Sequence, residues 1–116
     1  MIPSTWRPHV RGDGELVGYL DGADPTVVPR TLFGYALADP APISAAVSVL
    51  EARGLACLGD RWELRLDSGD QVPVLIMSAY ADAVVVVEAP YGFVGPDSPR
   101  HTLAAPTGDR LVPAHA

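Results

Sequence analysis

The sequence predicts an α+β fold with an N-terminal β-hairpin, one α-helix over about residues 40–53 and a three-stranded antiparallel meander over about residues 61–88. Two observations identify the meander. Residues 61–67 alternate apolar and charged side chains, which is typical of a strand with one solvent-facing side. Two apolar runs follow, and the second contains four consecutive valines at 84–87. The helix is indicated by apolar residues at helical spacing.

The 116-residue length suits a single small domain, residues 1–116. Residues 1–14 show no apolar period and contain Pro and Gly, so we expect an extended arm. Residues 90–116 contain five prolines and are expected to form an extended Pro-rich tail. Its only candidate strand fragments are Leu103 and Leu111 with Val112.

The predicted hairpin consists of a strand at residues 15–21, a turn at 22–25 and a second strand at 26–37. Pro29 interrupts the second strand. Since proline has no N–H to donate to a neighbouring strand, this strand lies at a sheet edge or is split into two pieces.

Asp39 and Pro40 have the character of a helix start, with Ser44 as the alternative cap. The predicted apolar stripe consists of Ile43, Val47 and Leu50. Gly54 is expected to end the helix in the left-handed conformation, which would place Leu55 against Leu50.

The meander continues through a turn at residues 67–70, a strand at 71–78, a second turn at 80–83 and the valine strand. The strand at 71–78 is apolar on nearly every residue, which implies cover on both faces. The valine strand belongs inside a sheet or against another layer, because an open edge of this composition would aggregate.

The order Trp62, Gly69, alternating valines and then Glu88-Ala89-Pro90-Tyr91-Gly92 resembles the strand, turn and aromatic order of small SH3-like barrels such as Tudor modules. The resemblance covers residues 62–92 and includes no family-specific motif. It implies some barrel-like curling of the sheet. It also implies peptide binding by aromatic residues on one rim, and the candidate partner-binding residues are then Tyr80, Tyr91 and Phe93. The alternative is that these rings pack in the core, with Tyr91 and Phe93 anchoring the start of the tail.

The net charge of −6 comes from 14 acidic and 8 basic residues, and every basic residue is an arginine. Because the arginines are scattered among more numerous carboxylates, neither nucleic acid nor an anionic membrane is an expected partner. No apolar run approaches the ~20 residues of a membrane-spanning helix, and the first residues lack the pattern of a signal peptide. We therefore expect a soluble, cytoplasmic protein. The single Cys57, among apolar neighbours, suits a reducing compartment as a packed, unreactive thiol.

No catalytic motif is present, so we predict no catalytic residue, no enzyme activity and no cofactor. His9, His101 and His115 have no metal-ligand spacing, and we predict no metal site. A carboxylate site assembled from distant residues, such as Glu63 or Glu88 near an arginine, remains an alternative. The sequence alone does not show which distant residues lie close together in space.

The sequence favours a small non-enzymatic interaction or accessory protein whose partner is a protein, with self-association into a homo-oligomer as the nearest candidate. The two-sided apolar strands and the valine run exceed what one short helix can cover, so the remaining face needs either the tail or a second subunit. The alternative is a small-molecule-binding protein or weak enzyme with a pocket between helix and sheet, lined by Trp62 or Tyr19 and with Arg65 or Glu63 at its mouth.

Overall fold

The computed structural model describes residues 2–80 and 82–114, and over these residues the chain is a mixed α+β fold of two antiparallel sheets and one α-helix. The strands of the smaller sheet are β1 (Arg7–Val10), β2 (Leu16–Ala23) and β3 (Thr26–Arg30). The helix α1 (Ile43–Arg53) and a 3-10 helix (Ala56–Gly59) follow. The strands of the larger sheet are β4 (Arg61–Arg65), β5 (Gln71–Ala79), β6 (Ala83–Glu88), β7 (Arg100–Ala104) and β8 (Leu111–Pro113).

The three-stranded sheet has the order β1-β2-β3 and contains the predicted hairpin as β2 and β3. Within the segment expected to be an extended arm, residues 7–10 form the edge strand β1, where Arg7 pairs with Leu20. The physical reason is that residues 17–20 of β2 are all buried. The backbone N–H and C=O groups on the side of β2 that faces away from β3 therefore need hydrogen-bond partners. Pro8 is tolerated because β1 is an edge strand.

The second strand of the hairpin ends at Arg30 and not at Leu37, so the predicted bounds are wrong there. After Arg30 the chain enters a turn in which Gly34 has a φ of 89°. A side chain at Gly34 would lie 2.5 Å from Pro106, so the turn also requires a small residue. Pro29 lies in β3 at the sheet edge, which confirms one of the two predicted placements.

Helix α1 packs against the smaller sheet, although we expected it to cover the meander. Leu50 is fully buried there with Val17 and Val27. The first residue of α1 is Ile43, and Pro42 is at the N-cap. No side chain caps the helix, so neither Asp39 nor Ser44 does.

The predicted left-handed end of α1 is also wrong, because Gly54 has a right-handed helical φ of −56°. A side chain at Gly54 would lie 2.1 Å from the carbonyl oxygen of Val17, so glycine allows the helix end to lie against β2. Leu55 therefore closes no Schellman motif, and the chain continues into the 3-10 helix.

The five-stranded sheet has the order β7-β6-β5-β4-β8 and contains the predicted meander as β4, β5 and β6. Residues that we expected to lie in an extended tail add β7 beside β6 and β8 beside β4. Both strands form at the predicted fragments, with Leu103 opposite Val84 and Leu111 opposite Leu64. Residues 115 and 116 of the predicted tail, like residue 81 of the predicted turn at 80–83, lie outside the described residues.

The core of the larger sheet encloses most of the valine run at residues 84–87. Val84, Val86 and Val87 are buried and Val85 is half-buried. The helix does not cover this strand; the tail, one of the two predicted covers, does so together with other segments of the chain. The core side chains from outside the meander are Phe33, Cys57, Leu103, Ala105 and Leu111. Trp62 lies at the centre of this cluster, with the rings of Phe33 and Tyr35 at 5.1 and 5.3 Å.

Candidate functional site

The segment between β6 and β7, residues 89–99, is here called the aromatic loop. Backbone hydrogen bonds hold both of its ends. The N–H of Glu88 donates to the carbonyl of Pro99 at 2.9 Å, and the N–H of Ala89 donates to the carbonyl of Pro73 at 2.9 Å. Ala89 is buried, so this small residue fixes the start of the loop on the sheet. The larger side chains that follow are free to face solvent.

Two aromatic rings project from this loop next to each other. Tyr91 is 84% exposed and Phe93 is 68% exposed, and their ring centroids are 6.4 Å apart with an interplanar angle of 30°. Gly92 between them has a φ of 83°, and its N–H donates to the carbonyl of Ala89 at 2.9 Å. The expectation that Tyr91 and Phe93 anchor the tail in the core is therefore wrong, because Ala89 and the glycine turn do so instead.

A groove of about 320 Å³ lies beside the two rings and is here called the aromatic groove. Its lining residues are Glu88, Pro90, Tyr91, Phe93, Gly95, Pro96, Asp97, Ser98 and Pro99. The N–H of Gly95 donates to the hydroxyl of Ser98 at 2.8 Å, and the N–H of Ser98 donates to the carbonyl of Gly95 at 3.2 Å. This reciprocal pair and the three prolines restrict the backbone of the groove. Its charged lining side chains are two carboxylates.

One of these carboxylates forms a hydrogen-bonded pair that the sequence did not reveal. Nε2 of His101 lies 2.7 Å from a carboxylate oxygen of Glu88, and both side chains are partly buried. The pair forms because β7 pairs with β6 in a register that puts His101 opposite Val86. The described residues place no hydroxyl or thiol in hydrogen-bond contact with His101. The pair therefore places a carboxylate, that of Glu88, at the groove, but His101 has no nucleophile to activate.

A second depression, here called the polar cleft, also borders Tyr91. It has a volume of about 350 Å³ and is lined by Arg61, Glu63, Pro73, Val74, Leu75, Ala89, Pro90, Tyr91, Gly92 and Ala114. Arg61 and Glu63 are two residues apart on β4 and so share one face of the sheet. Neither side chain forms an ion pair with another described residue.

The residues predicted to line a pocket between helix and sheet lie at different places, and Tyr19 borders a small cleft together with Tyr80. Glu63 lines the polar cleft, which is formed on the larger sheet and not at α1. Trp62 is fully buried and lines no described cleft, because it forms the centre of the core. Arg65 instead donates to the carboxylate of Asp109 at 3.1 Å.

Tyr80 lies apart from the other two predicted partner-binding residues. It precedes β6 while Tyr91 follows it, so a six-residue strand of about 20 Å separates them. Tyr80 is 58% exposed, so it is not a core ring either. It borders a small cleft of about 200 Å³, whose other lining residues are Glu15, Leu16, Tyr19, Leu32 and Ala79.

The structure describes Cys57 as a buried free thiol whose Sγ lies 3.4 Å from the carbonyl oxygen of Gly54. Burial raises the pKa of this thiol to about 11, so it is protonated at neutral pH. Within residues 2–80 and 82–114, no three His, Cys, Asp or Glu side chains are grouped as metal ligands. Over the same ranges, no helix combines the length and apolar character that crossing a bilayer requires.

Comparison of the chain with protein-family models, with curated proteins and with solved structures finds no match. The function must therefore be argued from the chemistry of the site.

Proposed function

We propose that this protein is a small non-enzymatic interaction protein and that its protein partner binds on the aromatic loop. The observation that carries the proposal is the pair of large, adjacent and exposed rings of Tyr91 and Phe93. Aromatic side chains dominate the energetics of protein interfaces, because each can bury 150–250 Å². The hydrogen bonds at both ends of the loop hold the rings in place before a partner arrives, which reduces the entropy lost on binding.

Self-association is one form of this proposal, although its support has changed. The valines that suggested an uncovered apolar surface are mostly buried by the chain itself. What supports a homo-oligomer is the aromatic pair, because a two-fold axis beside the loop would bury Tyr91 and Phe93 of both copies.

The curled, SH3-like arrangement is likewise a proposal, supported by the meander and by aromatic residues at one end of it. The described sheet order leaves its end strands, β7 and β8, unpaired with each other.

A second candidate function, binding of a small molecule, is favoured by the polar cleft. Arg61 and Glu63 offer a cation and an anion on one face beside the ring of Tyr91. Such a pair could hold a zwitterion such as a free amino acid through its carboxylate and ammonium groups. In this cleft the guanidinium of Arg61 lies close to the backbone of Gly92. A Cβ atom added at Gly92 would lie 3.1 Å from the guanidinium.

Light scattering and a ligand screen test these proposals. If self-association uses the aromatic loop, the wild-type chain scatters as a dimer and the Tyr91→Ala and Phe93→Ala variants scatter as monomers. A strictly monomeric wild type at high concentration would contradict self-association. If the polar cleft binds a zwitterion, free amino acids raise the melting temperature of the wild type but not of Arg61→Ala. An equal shift in both proteins would count against that candidate.

A reducing compartment such as the cytoplasm is also part of the proposal, supported by the free and buried thiol of Cys57. We propose in addition that residues 1–116 act as one domain, supported by the ring contacts of Phe33 and Tyr35 with Trp62, which connect the segment after β3 to the larger sheet.

A further inference from the structure

We propose that the aromatic groove binds an arginine or lysine side chain that is presented by a segment of a different protein. This inference rests on the proposed function and names the chemistry of the partner at the same site. It follows from the charges of the groove, from the exposed rings and from an arginine site that the chain already contains.

The charge at the groove has one sign. Glu88 and Asp97 line it, and no arginine or histidine does. The nearest basic groups are engaged or lie elsewhere. His101 is hydrogen-bonded to Glu88, so Asp97 is the lining carboxylate that has no ion pair with a described side chain. Arg61 lines the polar cleft, and Arg100 begins β7 outside the lining. The groove is therefore complementary to a cation.

The rings add a second attraction for the same group. The face of an aromatic ring carries negative charge density and attracts a guanidinium or ammonium group within about 6 Å of its centroid. Tyr91 and Phe93 line the groove and keep most of their surface exposed to solvent. A cation in the groove can contact a ring face and a carboxylate at once.

The same combination of ring and carboxylate already holds an arginine within this chain. The guanidinium of Arg30 lies 4.5 Å from the ring centroid of Trp6. Its Nε donates to the carboxylate of Asp21 at 2.8 Å, and its Nη1 donates to the carbonyl of Gly34 at 3.0 Å. The aromatic groove offers the ring and the carboxylates of this arrangement without an arginine of its own.

Charge also favours a different protein over a second copy of this chain. Each copy carries a net charge of −6. A two-fold contact through the aromatic loop would bring the carboxylates of Glu88 and Asp97 from both copies close together, and like charges across an interface are unfavourable. A basic partner segment is attracted by the same carboxylates.

The test uses the full chain and measures binding of the peptide Gly-Pro-Arg-Pro-Gly-amide, which carries fluorescein on its N-terminal amine, by fluorescence polarisation at several salt concentrations. The comparison peptides replace the arginine by lysine, by citrulline or by glutamate. Citrulline has the shape of arginine without its charge. We expect the arginine and lysine peptides to bind, and the citrulline and glutamate peptides to bind at least about ten-fold more weakly.

Protein variants locate the binding. Asp97→Asn and Phe93→Ala should each weaken the arginine peptide by about five-fold or more, because each removes one half of the cation site. Asp39→Asn is the matched control, since it removes the same charge from an exposed position outside the groove. Its affinity should stay within about two-fold of the wild type.

Three outcomes would overturn the inference. If Asp97→Asn and Asp39→Asn weaken binding equally, the peptide is held only by the overall negative charge. If no arginine or lysine peptide binds and the wild type is a dimer that Phe93→Ala dissociates, the groove serves a second copy and the proposed function still stands. If no peptide binds and the scattering of the wild type is unchanged in Tyr91→Ala and Phe93→Ala, both the inference and the proposed function fail.

Discussion

Replacing Tyr91 by alanine separates a binding role of this ring from a structural one. Since 84% of Tyr91 is exposed, the chain covers only about a sixth of it. For an aromatic side chain of about 200 Å² this is roughly 30 Å², which contributes at most about 0.8 kcal/mol to the free energy of unfolding at ~25 cal/mol/Å². A partner that covers the rest removes roughly 170 Å² from water, with an upper limit of about 4 kcal/mol.

Tyr91→Ala should therefore affect binding about five times more than folding. Urea unfolding followed by circular dichroism should show a loss of stability below about 1 kcal/mol with an unchanged dependence on urea concentration. The arginine peptide, or the second copy if the chain self-associates, should bind at least about 30-fold more weakly, the loss that is typical of an interface hot spot.

Leu50→Ala provides the reference for a structural residue in the same unfolding assay. Leu50 is fully buried between α1 and the smaller sheet, so its replacement should cost about 2 to 5 kcal/mol. If Tyr91→Ala destabilises the protein as much as Leu50→Ala does, the ring has a structural role and the reasoning from its exposure is refuted.

The remaining predictions concern the fold. Gly54→Ala should destabilise the protein by about 1 to 3 kcal/mol in urea unfolding, because its side chain would meet a backbone oxygen of β2, whereas Gly59→Ala, with open space, should change stability by less than about 0.5 kcal/mol. Equal effects would contradict the close approach of α1 to β2. Cys57 should react with iodoacetamide at pH 8 only as fast as the protein opens, because burial raises its thiol pKa to about 11; rapid labelling of the folded protein would disprove that burial. Thr31→Val should cost about 1 to 3 kcal/mol, since the hydroxyl of this buried residue accepts the N–H of Tyr35 at 3.0 Å, and a stability equal to the wild type would show that the hydrogen bond is dispensable.

The parts of the fold that the sequence predicted correctly are local in the chain. The meander and the β2–β3 hairpin join strands that follow one another through short turns, so alternation and turn residues were sufficient to predict them. The helix was found from its apolar stripe, although its start lay three residues later than expected.

The parts that were missed, or indicated only as short fragments, depend on pairing between distant segments. Strands β1, β7 and β8 are short and contain or adjoin proline, so their own sequences do not distinguish a strand from an irregular segment. Their partners in the sheets make them strands. Gly54 was misread for the same reason, because the carbonyl of Val17 that excludes a side chain there is 37 residues away in sequence.

At the candidate site, the sequence indicated Tyr91 and Phe93, which the structure exposes, but not their surroundings. Tyr91 and Phe93 could be chosen as partner-binding residues from their type and their place after the meander. Their exposure, the carboxylates beside them and the pairing of Glu88 with His101 depend on the register of β7 against β6. Tyr80 was grouped with them because the length of β6, which separates it from Tyr91, enters only with the structure.

The most direct test of a partner site on the aromatic loop is a nuclear magnetic resonance titration of the ¹⁵N-labelled chain with the arginine peptide. The account predicts saturable shifts of the backbone amides of residues 91–95, 97, 98 and Glu88, while the amides of α1 stay unchanged. Shifts centred on Arg61 and Glu63 or on Tyr80, or weak shifts spread over all acidic residues without saturation, would contradict it.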